Sequence, residues 1–288
     1  SEKARVGKLK YLVIAGDCIA EYEEIYTKDG VKKAKDIREG DLVLSYDFQK
    51  RKYVHKPITK VWDKGTKEVH RVHFRNGQWI DVTDEHNFLV RSSEENKKGY
   101  IKKQLKQINL DNIYQRRVPI AKQIPYSTID VDWLNEDLCF ILGHFLAEGW
   151  VEGAHVCTSG YDVPESIVPL LEKNKIPFGE GANGNGVPIV RFLKGPFKDF
   201  LKTTKKNSFD IHLSESIFHL PSFKLEKIIA GYFLGDGNNG NFPDKRGFNS
   251  AKADCYSTSS EQFARDFQRI GLQLGRTFHI WKQEHHNG

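Results

Sequence analysis

The chain has 288 residues, of which 39% are hydrophobic and 12% aromatic, enough for one large or two ordinary domains with a buried core. A net charge of +6 suits a polyanionic partner, while the absence of any apolar run near the roughly 20 residues that span a bilayer, and of a signal-peptide pattern, argues against a membrane protein. Cys18, Cys139, Cys157 and Cys255 lie far apart with no CxxC pair, which argues against a disulfide framework or structural zinc and for a reducing, cytoplasmic compartment.

Residues 1–17 read as a charged lead followed by one buried strand, Tyr11-Leu-Val-Ile-Ala15. From Cys18 to about Pro125 the pattern is of short strands: 24–27, the hairpin turn Asp29-Gly30, then 31–37, 40–45, 59–62, 69–74 and 79–83. Such strands, divided by Gly, Asn and Asp, predict a compact all-β unit. The lysine-rich segment 97–106 reads as a solvated loop or helix face rather than a DNA contact.

Near Trp133 helix and strand begin to mix. Two related apolar runs stand out, Ile141-Leu-Gly-His-Phe-Leu-Ala-Glu-Gly149 and Ile229-Ala-Gly-Tyr-Phe-Leu-Gly-Asp-Gly237. Each sets small residues four apart, Gly143 with Ala147 and Gly231 with Gly235, so that on a helix they share a face and admit a close neighbour. Each ends in an acid before a glycine stop, which predicts Glu148 and Asp236 in the last helical turn, where the helix dipole disfavours a carboxylate. Packed side by side, the helices would bring two repelling carboxylates together, and a divalent cation would relieve the repulsion. Each run is followed by a strand, a serine-capped helix (164–173 and 261–271) and a second strand (176–178 and 274–280), which predicts two pseudo-symmetric halves.

The paired runs resemble the LAGLIDADG motif of homing endonucleases in its two-copy form, with the acids 88 residues apart (236 minus 148). The stretch in front of them resembles the splicing domain of an intein. Cys18-Ile-Ala-Glu-Tyr-Glu-Glu-Ile-Tyr-Thr-Lys-Asp-Gly30 is similar to its opening motif, and Asp81-Val-Thr-Asp-Glu-His-Asn-Phe-Leu-Val90 to its Thr-x-x-His motif. The resemblance implies an α+β chain in three parts. Residues 1–17 would be an N-extein remnant and 18–130 a β-rich Hint-type domain lacking its C-terminal strands. Residues 131–288 would be a pseudo-two-fold αββαββα endonuclease domain, with repeats at about 131–215 and 216–288. It also implies a monomer that cuts both strands of a long, asymmetric DNA site, with host exteins as partners in cis.

By the same resemblance, Cys18 would attack the carbonyl of Asp17 to form a thioester, His86 would protonate the departing amide, and Thr83 would bond the strained peptide. Glu148 and Asp236 would hold Mg²⁺ or another divalent cation. The family's basic residue is often a lysine where this chain has Phe218; Lys205, Lys206 and Lys224 are the substitutes, with Lys206 taken as the catalytic partner. Arg191, Lys194, Lys252 and Lys282 are the candidate DNA contacts. Asn287-Gly288 reads as a hairpin turn in the last sheet. The rival readings are a DNA-binding regulator or maturase without cleavage, a free-standing endonuclease with a relict splicing domain, and a self-cleaving domain without ligation.

Overall fold

The computed structural model describes residues 9–14, 17–47, 50, 52–91, 100–111, 117–118, 121, 123–240 and 253–280. The chain divides into two compact units, residues 1–127 with 275–288, and residues 128–274.

The first unit is β-rich. Its strands are β1 (Leu9–Ile14), β2 (Asp17–Ala20), β3 (Glu24–Thr27), β4 (Gly30–Lys33), β5 (Leu42–Asp47), β6 (Lys52–Pro57), β7 (Trp62–Lys67), β8 (His70–His73), β9 (Trp79–Val82), β10 (Asn87–Arg91) and β11 (Tyr100–Gln104). They form antiparallel sheets in the orders β7-β1-β2-β9-β8, β4-β3-β5-β6 and β10-β11. Gly30 turns the β3–β4 hairpin at φ 118°, a conformation that favours glycine. Ile19, Ala34, Ile37, Val43, Ile58, Val82, Phe88 and Val90 make the core.

Several expected boundaries shift here. The strand expected at 31–37 stops at Lys33 and gives way to a 3₁₀ turn (Ala34–Asp36), because Ala34 and Ile37 leave the sheet to plug the core. The lysine-rich segment holds β11, since Ile101 and Leu105 pack on that core between the lysines. β1 lies between β7 and β2, so residues 9–14 pair within this unit's sheet. The strand expected at 274–280 is absent: Gly275 turns the chain at φ 73°, and Ile280 N–H donates to the Asn76 carbonyl at 3.0 Å, within the first unit. Asn287 and Gly288 lie outside the described residues.

The second unit mixes helices and strands: α1 (Glu136–Glu148), β12 (Gly149–Glu152), β13 (His155–Ser159), α2 (Val163–Ser166), α3 (Val168–Lys173), β14 (Phe178–Ala182), β15 (Pro188–Phe192), α4 (Pro196–Thr204), α5 (Glu215–Phe218), α6 (Ser222–Asp236), β16 (Gly237–Gly240), β17 (Ala253–Tyr256) and α7 (Glu261–Gln273). The order β12-β13-β15-β14 forms one antiparallel sheet, and β16-β17 a hairpin. Asn135 caps α1, its side chain accepting from Leu138 N–H at 3.0 Å. Ser260 caps α7 as expected, accepting from Phe263 N–H at 3.2 Å. The helix expected at 164–173 is instead two pieces, α2 and α3, without a side-chain cap, because Pro169 cannot donate the backbone bond that would continue the first. The two halves are therefore alike through helix, hairpin and helix, and diverge after it.

Candidate functional site: the α1–α6 seam

Helices α1 and α6 meet backbone to backbone. A Cβ on Gly143 would fall 2.1 Å from the Ile228 carbonyl oxygen, and one on Gly231 would fall 1.9 Å from that of Phe140. One on Gly235 would fall 2.7 Å from the Ala147 Cβ and 2.8 Å from the Glu148 Cγ. Only a stripe of small residues permits this approach. Each helix runs directly into a strand, through Gly149 and Gly237.

The two acids stand at the end of the seam, in the last turn of each helix, where the helix dipole makes the field negative. Burial raises the pKa of Glu148, and repulsion from Asp236 and Asp162 raises it further. Burial also raises Asp236, against the hydrogen bond of Tyr232 and the charges of Lys205 and His144. Lys205 is buried beside them. Its Nζ donates to the Leu146 carbonyl at 2.8 Å and the Ala147 carbonyl at 3.0 Å, so it satisfies the end of α1. Burial pulls its pKa down to about 8, opposed by Asp236 and Glu148.

Lys205 therefore replaces Lys206 as the basic neighbour of the acids. Lys206 is exposed and pairs with Asp210 at 3.4 Å, because the residue after Lys205 in an extended segment points the other way. Lys224 is buried as well, but it ion-pairs with Asp130 and donates to the Val131 carbonyl at 3.0 Å. It sits in the first turn of α6, about 18 Å along the helix from Asp236. Phe218 is a core residue with the Arg269 guanidinium 3.9 Å from its ring centre, and Arg269 is held by Glu215 at 2.8 and 2.5 Å.

Two residues escaped the sequence reading. One turn before each acid stand His144 and Tyr232. The buried His144 ring lies 2.9 Å from Thr158 Oγ1 through Nδ1 and 3.1 Å from Asp162 Oδ2 through Nε2. The Tyr232 hydroxyl donates to the Ser257 carbonyl at 2.5 Å and lies 3.3 Å from Asp236 Oδ2. Their signal was the helical period, since a residue four before an acid lies on the same face.

A hydrated hard cation fits this donor set. Two half-buried carboxylates with raised pKa values repel each other, and Mg²⁺ is commonly held by one or two carboxylates while keeping several waters. Among the described residues no group of three or more His, Cys, Asp or Glu side chains is set to hold a metal, so any such ion would rely on water or a ligand for its remaining positions.

Of the expected DNA contacts, Arg191 is exposed on β15, in register with Cys157 and Gly179 across the sheet. Trp150 of β12 aligns with Cys157, so these residues form one row across the sheet, with Cys157 buried in its middle. Thr158 and Val190, which alternate with them, face α1. Lys194 is exposed just after β15. Lys252 and Lys282 lie outside the described residues.

In the first unit Cys18, Thr83 and His86 come together. Cys18 is buried on β2. Thr83 N–H donates to the Cys18 carbonyl at 3.4 Å, and His86 N–H donates to the Thr83 carbonyl at 3.0 Å. The Thr83 hydroxyl is buried with no hydrogen-bond partner among the described residues. The His86 ring packs edge-on against Phe88, centres 4.9 Å apart.

No family model matches the chain. A DNA-directed RNA polymerase subunit, Rpo1C of Methanocaldococcus jannaschii, is 23% identical over 250 residues, a match covering 74% of this chain and 28% of that protein. The chain thus spans little more than a quarter of the relative's length. Its name places that protein in DNA-directed RNA synthesis, and this overturns the expected function, a metal-dependent DNA endonuclease with autocatalytic protein splicing. The readings as a regulator, a maturase, a free-standing endonuclease or a self-cleaving domain fall with it. No helix among the described residues is long and apolar enough to cross a membrane.

Proposed function

We propose that the second unit is a duplex-binding module of a polypeptide related to an RNA polymerase subunit. Glu148 and Asp236 would hold a divalent cation, Mg²⁺ by preference, against the nucleic-acid backbone. The observation that carries this reading is the acid pair, only partly compensated by Lys205, at the end of a seam built to bring it together. Carboxylates alone would repel a phosphate chain, and a shared cation turns that repulsion into a bridge. Arg191 and Lys194 would supply phosphate contacts from the neighbouring sheet. The named relative supports the nucleic-acid partner, and the cysteine pattern supports a reducing, cytoplasmic location. The resemblance to an intein carrying a two-repeat LAGLIDADG unit enters the proposal as architecture alone: a two-unit insertion within a polymerase-subunit-like polypeptide.

The test is fluorescence anisotropy of the full chain on a labelled DNA duplex, with Mg²⁺ and with chelator. Binding should weaken on chelation, and Asp236→Asn should remove that dependence. Arg191→Ala should weaken binding about tenfold and flatten its salt dependence. Equal affinity with and without Mg²⁺, or no binding to duplex, would overturn the proposal.

A further inference from the structure

The two halves of the seam hold their acids by different means. In the first half the residue one turn before the acid is His144, and its ring is committed elsewhere, to Thr158 of β13 and to Asp162. Glu148 has no side-chain hydrogen bond among the described residues; it rests over Gly235, where only the missing Cβ makes room for its Cγ. In the second half the corresponding residue is Tyr232. Its ring is wedged among Tyr256, Phe263 and Phe267, with centres 6.4, 5.0 and 5.3 Å away. Its hydroxyl has one proton to offer, shared between the Ser257 carbonyl at 2.5 Å and Asp236 Oδ2 at 3.3 Å, and the Thr258 side chain also bonds it. Ser257 N–H in turn donates to the Asp236 carbonyl at 3.4 Å.

An aromatic ring fixed on three sides carries a hydroxyl that cannot wander, whereas a glutamate with one more methylene, sharing only the charge of Lys205 and without a side-chain hydrogen bond among the described residues, has more rotamers open to it. Resting on the cation reading above, we infer that the acids are unequal ligands: Asp236 is the fixed one, Tyr232 is the residue that positions it, and Glu148 adjusts to the ion. The pseudo-symmetry of the backbone is thus not carried into the site. A cation would be anchored from the α6 side, and a bound duplex would meet one fixed and one yielding edge. Partners one step removed from a metal tune affinity by about 10- to 100-fold, which sets the scale of the expected effect.

Mn²⁺ binding to the full chain, read from the free-ion signal in electron paramagnetic resonance, tests this without any activity. Asp236→Asn should weaken Mn²⁺ at least about tenfold, Tyr232→Phe by about tenfold, and Glu148→Gln by less than about threefold. Combined with Asp236→Asn, Tyr232→Phe should add nothing; combined with Glu148→Gln it should add its full effect. Thr258→Val, which leaves the ring packing alone, should reproduce part of the Tyr232→Phe loss. Equal losses for the two acid variants, or a Tyr232→Phe effect that persists without the Asp236 carboxylate, would overturn the inequality while leaving the cation reading intact. Absence of Mn²⁺ binding by the unaltered chain would instead sink the cation reading itself.

Discussion

Asp81 in the first unit and Asp236 in the second are both aspartates set among aromatic and basic neighbours, and the two units treat them in opposite ways. Asp81 accepts from Arg71 Nε at 2.9 Å and Nη2 at 2.8 Å, and from the Tyr22 hydroxyl. The guanidinium bonds hold its carboxyl below the usual range despite burial. Arg71 in turn lies over the Trp79 ring, 5.0 Å from its centre. Asp236 has one distant hydroxyl contact and one shared lysine, and burial keeps its carboxyl above the usual range. A fully paired charge is framework. A charge left in debt to its surroundings is stable only because the fold imposes it, and that makes it available to a ligand.

The seam itself gives the largest contrast. Gly231→Val would place a branched side chain where even one Cβ falls 1.9 Å from the Phe140 carbonyl oxygen. The helices must part, at a cost of roughly 4 kcal/mol or more. Amide exchange should collapse in α1 and α6 while β8 and β9 keep their protection. Retained protection in α1 would mean that the seam is not what holds the second unit.

The next contrast reverses sign between the units. Arg71→Ala strands a buried carboxylate and should cost about 2–3 kcal/mol, discounted because Arg71 is partly exposed. Asp236→Asn or Glu148→Gln removes repulsion and should stabilise the cation-free second unit by about 1 kcal/mol. Acid should separate the units likewise. Asp81, with its folded pKa depressed, contributes stability that is present above the usual aspartate value of 3.8 and lost as pH falls through the folded pKa. Asp236 and Glu148, with folded pKa values raised, destabilise at neutral pH. That penalty is relieved as pH falls through those values and is gone below the usual 3.8 and 4.5. Local exchange followed from pH 7 toward 4 should therefore show the seam tightening while β8 and β9 hold. A seam that loosens over that window would contradict the account of the acids.

The seam was legible in the sequence because its signal is local: glycines four apart and an acid before a glycine state the face and its end within nine residues. The short strands of the first unit were legible for the same reason, through alternation and turn residues. What escaped depended on neighbours distant in sequence. Lys205 and Lys206 are adjacent lysines, and only the turn of α4 into its extended end decides which one meets the acids. Pro169 was visible, yet its break at Ile167 was read through. Segment 275–280 carries a plausible strand pattern, but its partner is Asn76, some two hundred residues earlier, which no period within the segment can announce. The function expected from motif resemblance met a relative with a different name, and there the residues alone gave no check.

The two lysines also give the finest test of the comparison. Lys206 is exposed, with one loose ion pair to Asp210, so Lys206→Ala should change stability by no more than about 0.5 kcal/mol. Lys205 titrates near 8 in the folded chain against 10.5 for an ordinary lysine. Between those values the unfolded chain binds the extra proton, so the stability of the second unit should rise with pH across that window. The rise should survive in Lys206→Ala and vanish in Lys205→Met, with local exchange in α1 as the readout. If the Lys206 variant abolished it instead, the assignment of the buried amine to Lys205 would fail, because an exposed ammonium cannot carry a burial penalty.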